Sequence, residues 1–198
     1  MVLAKNRILK IVTFITILGL MKPLQAQIPP GGILNQKAPS WEVNQWFQLP
    51  EGKETLDISD FEGKVVYLYC FQSWCPGCHK YGFPTLQKLI AKFGNDEDVA
   101  FVAVQTTFEG FSTNSFERGK EVADQYGLKI PIGHSGSPEK YSELMVSYQT
   151  RGTPWAIIID KNGIVRFNNF HIEPEMAITL INELKAENKG ETEDVLNE

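Results

Sequence analysis

The chain of 198 residues is short of what several protein classes require. Its N-terminal apolar run is short: the stretch from Ile11 to Met21 is 11 residues, against the roughly 18 to 20 of a spanning helix. It has no surplus of positive charge, with a net charge of −5, which argues against nucleic acid and anionic membrane surfaces as partners. Cysteine is scarce. Three cysteines cannot all pair, so at least one thiol is structural, reactive or reserved for a partner. A second Cys or His pair at ligand spacing is missing, which argues against a closed zinc site. There is no internal repeat.

What is present begins with a leader. Lys5, Arg7 and Lys10 precede the apolar stretch, and Leu24-Gln25-Ala26 loosely follows the small-residue cleavage pattern, so residues 1–26 read as a secretory signal peptide. A retained N-terminal anchor is the alternative, and without a cysteine near the cut a lipoprotein anchor is unsupported. Cleavage after Ala26 leaves 172 residues and removes four basic groups and no acids, taking the net charge to −9. That length suits one domain with a sizeable core. No stable membrane insertion is expected after cleavage.

Residues 27–37 are rich in Pro and Gly and read as a linker, with ordered structure expected from Ala38-Pro39. Trp41 to Phe47 and Thr55 to Ile58, separated by Pro50-Glu51-Gly52-Lys53, predict a short hairpin. The run Val65-Val66-Tyr67-Leu68-Tyr69-Cys70-Phe71 predicts a buried central strand. Phe83, Leu86, Leu89, Ile90 and Phe93 recur at helical steps ahead of Gly94. Val99 to Val104 predicts a second buried strand, Phe116 to Tyr126 a helix, and Leu128 to Ile132 a short strand. Ser137-Pro138 predicts a helix start, with Tyr141, Leu144, Met145 and Tyr148 on its buried side. Trp155 to Ile159 and Ile164 to Phe167 flank the turn Asp160-Lys161-Asn162-Gly163, and Pro174 opens a last helix. The domain is expected over 38–186, and 187–198 as a polar tail. This order predicts an α/β protein with a mixed β-sheet flanked by helices.

The chemistry concentrates in Ser73-Trp74-Cys75-Pro76-Gly77-Cys78-His79, between the central strand and a helix start. Two cysteines at this spacing share one helical turn, and a helix N-terminus stabilises a thiolate. The placement predicts Cys75 as the exposed nucleophile, with a thiol pKa lowered from about 8.5 into the range of roughly 3.5 to 7.5. Cys78, one turn in, is the resolving sulfur. Such a pair is itself the redox group, so no cofactor and no metal are required. The expected partners are protein thiol or disulfide substrates and a redox donor or acceptor protein.

Trp-Cys-x-x-Cys after this strand, together with Gly152-Thr153-Pro154 ahead of a later one, resembles the thioredoxin superfamily. Within it the chain is similar to exported thiol-disulfide oxidoreductases of the TlpA/ResA type. The likeness rests on Ala38-Pro39, Gly63-Lys64-Val65-Val66, Trp74-Cys75, an insertion around 108–126, and Thr153-Pro154 ahead of Ile157-Ile158-Ile159-Asp160. It covers about residues 35–186. The resemblance implies a thioredoxin-like fold with an N-terminal hairpin extension and a central insertion. It also implies a cis Pro154 facing the cysteines, with Trp74, Pro76, Gly77, Thr153 and Pro154 contacting substrate, Thr153 through its backbone.

Three features depart from that pattern. Tyr69 stands where thioredoxin has a buried acid. Pro84 follows Cys78 by six residues where five is usual, with Gly82-Phe83 in place of a nearby acidic residue, so the first turns of this helix are expected to bulge. Pro76-Gly77 reverses thioredoxin's order.

Other readings compete for the same residues. Cys75 to His79 also satisfies the c-type haem pattern, although it lies inside a complete sheet-and-helix pattern. His134 beside the cysteines would suit a copper-delivery protein of the Sco type, whose cysteines are one residue further apart. A peroxiredoxin-type thiol peroxidase is the third alternative, but Gln72 stands where its Thr-x-x-Cys motif needs threonine. His79 is expected either to tune the thiolates or to lie on a solvated helix face, and Cys70 to be a buried, inert thiol.

Overall fold

The computed structural model describes residues 31–43 and 45–187. The expected signal peptide and all but the first residue of the polar tail lie outside them. Six strands form one mixed sheet in the order β1-β4-β3-β2-β5-β6. They are β1 (Gln45–Phe47), β2 (Val65–Phe71), β3 (Val99–Thr106), β4 (Ile132–Ser135), β5 (Trp155–Ile159) and β6 (Val165–Asn169). β2 and β3 run parallel, as do β3 and β4, whereas β5 lies antiparallel to β2 and to β6. Among the described residues, four α-helices flank the sheet: α1 (Phe83–Phe93), α2 (Phe116–Gln125), α3 (Glu143–Tyr148) and α4 (Pro174–Ala186).

β2 is buried along its whole length, as the unbroken apolar run requires of a strand covered on both faces. Alternation divides its side chains. Tyr67, Tyr69 and Phe71 join Leu86, Leu89 and Phe93 of α1, Val122 and Ala123 of α2, and Ile181 and Leu184 of α4 in one core. Val66, Leu68 and Cys70 face Trp41, Leu144 and Tyr148 in the other.

The N-terminal hairpin does not form. β1 pairs antiparallel with β4, with Gln45 opposite His134, and the segment expected as its partner is held in a different conformation. Asp57 accepts from Ile58 N–H and Trp41 N–H, each at 2.8 Å, while Asp60 accepts from Asp57 N–H at 2.8 Å. This capping box opens a 3₁₀ turn over Ile58–Phe61. Residues 31–37 are not a free linker either. Gly32, Asn35 and Ala38 donate backbone hydrogen bonds to Asn168, Val165 and Gly163, so this segment runs along β6.

Two further boundaries differ from the sequence reading. Pro131 has no N–H to give, and β4 begins only after it, which places His134 on this strand, beyond the short strand's expected span of Leu128 to Ile132. Ser137 instead caps a local turn, accepting from Glu139 and Lys140 N–H. α3 starts at Ser142, whose hydroxyl accepts from Met145 N–H, and Tyr141 is left 70% exposed instead of buried.

Candidate active site

β2 ends at Phe71, and the chain turns through Gln72, Ser73 and Trp74 into the cysteine pair. Because β5 is antiparallel to β2, with Trp155 opposite Cys70, the residues just ahead of β5 lie beside the carboxyl end of β2. The fold thereby brings Thr153 and Pro154 to Cys75 from far along the chain. The Thr153-Pro154 peptide is cis, and the Cys75 thiol donates to the Thr153 carbonyl at 3.4 Å. A methyl group on Gly77 would stand 3.0 Å from Pro154 Cδ and 3.9 Å from Cys75 Sγ. All seven residues singled out from the sequence, Trp74 to Cys78 with Thr153 and Pro154, therefore meet at one place.

The two sulfurs sit in unlike surroundings. Both cysteines are free thiols; Cys75 keeps 7% of its surface exposed and Cys78 none. Cys75 Sγ accepts from Cys78 N–H at 3.2 Å. Its pKa is lowered to about 6, chiefly by a hydrogen bond with the Cys78 thiol, with the Cys78 and Gly77 amides adding to the effect against the cost of burial. Burial pushes the Cys78 thiol far up instead. Cys75 is thus nearly buried rather than exposed as the sequence predicts, yet the pair still consists of one readily ionised sulfur with a small accessible edge and one strongly protonated sulfur fully enclosed beneath it, the asymmetry that thiol exchange requires. Burial also drives the Cys70 thiol well above its ordinary range, in keeping with an inert core residue.

The expected bulge in the helix is a π-helical turn over Cys78–Gly82, immediately ahead of α1, in which Phe83 N–H donates to the Cys78 carbonyl. The extra residue between Cys78 and Pro84 is accommodated there, and Pro84 stays in the first turn of α1, where its missing N–H costs nothing.

His79 lies on no solvated face. Its Nε2 donates to the Ser73 carbonyl at 2.7 Å, and its Nδ1 is 2.8 Å from the Tyr126 hydroxyl. It clamps the active-site turn to the end of α2. His134 Nδ1 faces Gln105 Nε2 at 3.0 Å, and burial lowers its pKa. Among the described residues no group of three or more His, Cys, Asp or Glu could hold a metal ion.

Several site residues went unnoticed in the sequence. Buried Gln105, at the end of β3, accepts from Ser73 N–H and hydroxyl and donates to the Asn114 and Ser115 carbonyls. Asn114 Oδ1 faces Trp74 N–H at 3.4 Å, and its amide group holds the Glu109 carbonyl at 3.0 Å. The insertion between β3 and α2 is thus tied to the loop carrying Trp74, whose indole remains 49% exposed and donates to Gln72 at 3.1 Å. The available signal was Gln105-Thr106-Thr107, polar residues closing an otherwise apolar strand.

Residues 34–184 match the Redoxin family. The thiol-disulfide oxidoreductase ResA of Bacillus thuringiensis subsp. konkukian is 27% identical over 132 residues, covering 67% of this chain and 66% of the relative. ResA of Halalkalibacterium halodurans is 25% identical over 135 residues, covering 68% of this chain and 70% of the relative. The chain therefore spans about two thirds of the length of these curated relatives. Among solved structures, a thioredoxin-like superfamily protein superposes with a TM-score of 0.70 at 32% identity, covering 77% of this chain and 97% of that one. A thiol-disulfide isomerase from Corynebacterium glutamicum superposes with a TM-score of 0.65 at 28% identity, covering 76% and 98%. With the fold, the cysteine pair and these likenesses taken together, the chain belongs to the Redoxin family, as a TlpA/ResA-like member of the thioredoxin superfamily.

Proposed function

We propose that the protein is a thiol-disulfide oxidoreductase acting on protein thiols and disulfides outside the cytoplasm. One observation carries the reading: two free thiols meet beside Thr153, Cys75 Sγ accepting from the Cys78 amide at 3.2 Å and facing the Thr153 carbonyl, with Cys78 fully buried beneath it. Hydrogen bonding to Cys75 lowers its pKa to about 6. At neutral pH such a group is about nine-tenths thiolate. In the reductive direction Cys75 attacks one sulfur of a substrate disulfide, forming a mixed disulfide and releasing the other sulfur as a thiol. Cys78 then attacks Cys75 Sγ, the bond to the substrate breaks, and the second substrate thiol leaves with the proton that Cys78 gave up. The oxidative direction is the reverse. Trp74, Pro76, Gly77, Thr153 and Pro154 form the surface that meets the substrate segment, Thr153 through its backbone. Export is supported by the basic, apolar and small-residue pattern of residues 1–26.

Trapping tests the reading. Cys78→Ser removes the resolving sulfur and leaves Cys75 competent, so the variant accumulates mixed disulfides with protein substrates from an extracytoplasmic extract; Cys75→Ser does not. Equilibration of the pair with glutathione gives its potential, and hence its direction, against known couples from about −120 to −270 mV. Absence of any trapped species, with stoichiometric copper uptake or peroxide consumption in its place, would transfer the assignment to metal delivery or to peroxidase chemistry.

A further inference from the structure

Tyr69 is the residue that the exchange mechanism leaves unused. It is 1% exposed, and its hydroxyl is buried without a hydrogen-bond partner of good geometry. A buried hydroxyl left unsatisfied is costly, so its persistence calls for a reason. The ring is fixed by Phe71, stacked at 6.0 Å, and by Phe83, edge-on at 5.3 Å. The hydroxyl points into the π-helical turn that starts at Cys78: a methyl group on Gly82 would stand 2.0 Å from the Tyr69 oxygen. The three departures noted in the sequence therefore belong to one arrangement. Glycine at 82 makes room for the hydroxyl, and the π turn, which sets Pro84 back by one residue, leaves Cys78 and Gly82 over it.

We propose that the Tyr69 hydroxyl is a hydrogen-bond donor to the Cys78 sulfur, stabilising the thiolate that Cys78 becomes when it resolves the mixed disulfide. The proposal rests on the exchange reading above. Cys78 is wholly buried, so water cannot solvate a charge formed on it, and the charge needs fixed donors. The Gln72 backbone is one and Tyr69 the other, each favouring the ionised sulfur. The Tyr69 hydroxyl is itself held well above its ordinary pKa by burial and by the Cys78 sulfur. It therefore keeps its proton and acts as a donor, not as a base. The other titratable groups acting on this pair are Cys75, Tyr67 and Tyr126, none of them a carboxylate. In the step itself the Cys78 sulfur bonds to Cys75 Sγ, the bond from Cys75 to the substrate breaks, and the Cys78 proton leaves on the substrate thiol.

The test uses the full reduced chain and a symmetric aromatic disulfide whose thiol is coloured. The first equivalent of thiol reports attack by Cys75 and the second reports resolution by Cys78. With Tyr69→Phe the first phase is expected to keep its rate and pH midpoint, and the second to slow about 10- to 100-fold, the value of one hydrogen bond to a charged group. In a Cys75→Ser background, where the alkylation rate of Cys78 follows its thiolate fraction, that rate at fixed pH is expected to fall about 10- to 100-fold once Tyr69→Phe is added. An unchanged second phase, or both phases slowed alike, overturns the proposal. A wild-type chain that releases no second equivalent overturns the exchange reading instead, and the alkylation rate of Cys78 still decides the role of Tyr69, an unchanged rate overturning it. Should Tyr69→Phe not fold, site-specific 3-fluorotyrosine at position 69, a stronger donor of nearly the same shape, is expected to speed the second phase; no acceleration counts against the role.

Discussion

Gln105 at the end of β3 holds Ser73 at the end of β2 by both its backbone N–H, at 3.2 Å, and its hydroxyl. Through the other end of the same amide it holds the Asn114 and Ser115 carbonyls at 2.9 and 2.7 Å. One buried side chain thus fixes the turn leading into Cys75 and the insertion beside Trp74.

Replacing Gln105 by Leu leaves these donors and acceptors buried without partners. The expected loss is about 2 to 4 kcal/mol of stability, since each orphaned group costs about 1 to 3 kcal/mol and some recover water. Urea unfolding measures it. A loss below about 1 kcal/mol would mean that the insertion is not held through this residue. Gln105→Glu is expected to be worse, because a carboxylate would face the two carbonyls.

The ionisation of Cys75 makes both reactivity and stability depend on pH. In a Cys78→Ala chain the hydrogen bond from the Cys78 thiol, the main cause of the lowered pKa, is gone, so the midpoint of Cys75 alkylation is expected above about 6. For stability the sign follows from an acid whose folded pKa lies below its ordinary 9.0. Its contribution is fully present above that ordinary value and is lost as pH falls through about 6. Cys78, shifted upward, stays protonated in the folded chain; its ionisation in the unfolded chain near pH 9 is common to wild type and Cys75→Ser and cancels in the comparison. The reduced wild type is thus expected to gain stability relative to Cys75→Ser between pH 6 and 9, by at most about 4 kcal/mol. Urea midpoints under a phosphine reductant check it, and a flat difference across the window would count against the ionised Cys75.

Much of the fold was legible because its signals are local. The apolar run of β2, the three-and-four spacing of α1 and the Asp160 to Gly163 turn each announce an element from adjacent residues. The bulge after Cys78 was legible as well, from the single-residue offset of Pro84. The starts of β4 and α3 were missed on local grounds, at Pro131 and at the Ser137 turn, whereas the other failures involve partners distant in sequence. β1 looked like half of a hairpin, but its three residues pair with β4, and no local pattern encodes that choice. His79 read as a thiolate tuner or a solvated residue, and His134 as a candidate copper ligand, because Tyr126 and Gln105 reach them only in the folded chain. The cysteine pair and Thr153-Pro154 stood out by motif; the polar groups supporting them did not.

His79 separates a clamp from an electrostatic tuner. His79→Phe preserves packing against Phe83 and Tyr126, whose rings lie 5.6 and 5.7 Å away, but removes the hydrogen bonds to the Ser73 carbonyl and the Tyr126 hydroxyl. Two bonds at about 1 kcal/mol each give an expected loss of about 1 to 2 kcal/mol. The pH midpoint of Cys75 alkylation is expected to stay in place, because both ring nitrogens are directed at oxygen partners. A midpoint that moves upward would make His79 a thiolate-stabilising group.

Asn168 binds the N-terminal segment to the strands behind the site. Its Oδ1 accepts from the Trp155 indole at 2.6 Å, and its Nδ2 donates to the Ile33 and Tyr148 carbonyls, both at 3.0 Å. All three bonds are buried, so Asn168→Leu leaves an indole N–H and two carbonyls unsatisfied; the expected loss is about 3 to 5 kcal/mol. The losses should also have a direction. Residues 31–37 are held by this side chain and by backbone bonds to β6, so limited proteolysis under native conditions is expected to cut ahead of Ala38 in the variant before it cuts elsewhere. Trp155 follows Pro154 directly. If loosening its indole shifts the proline, the first thiol-releasing phase slows in the variant; if that phase keeps its rate while proteolysis increases, Asn168 serves the N-terminal segment alone.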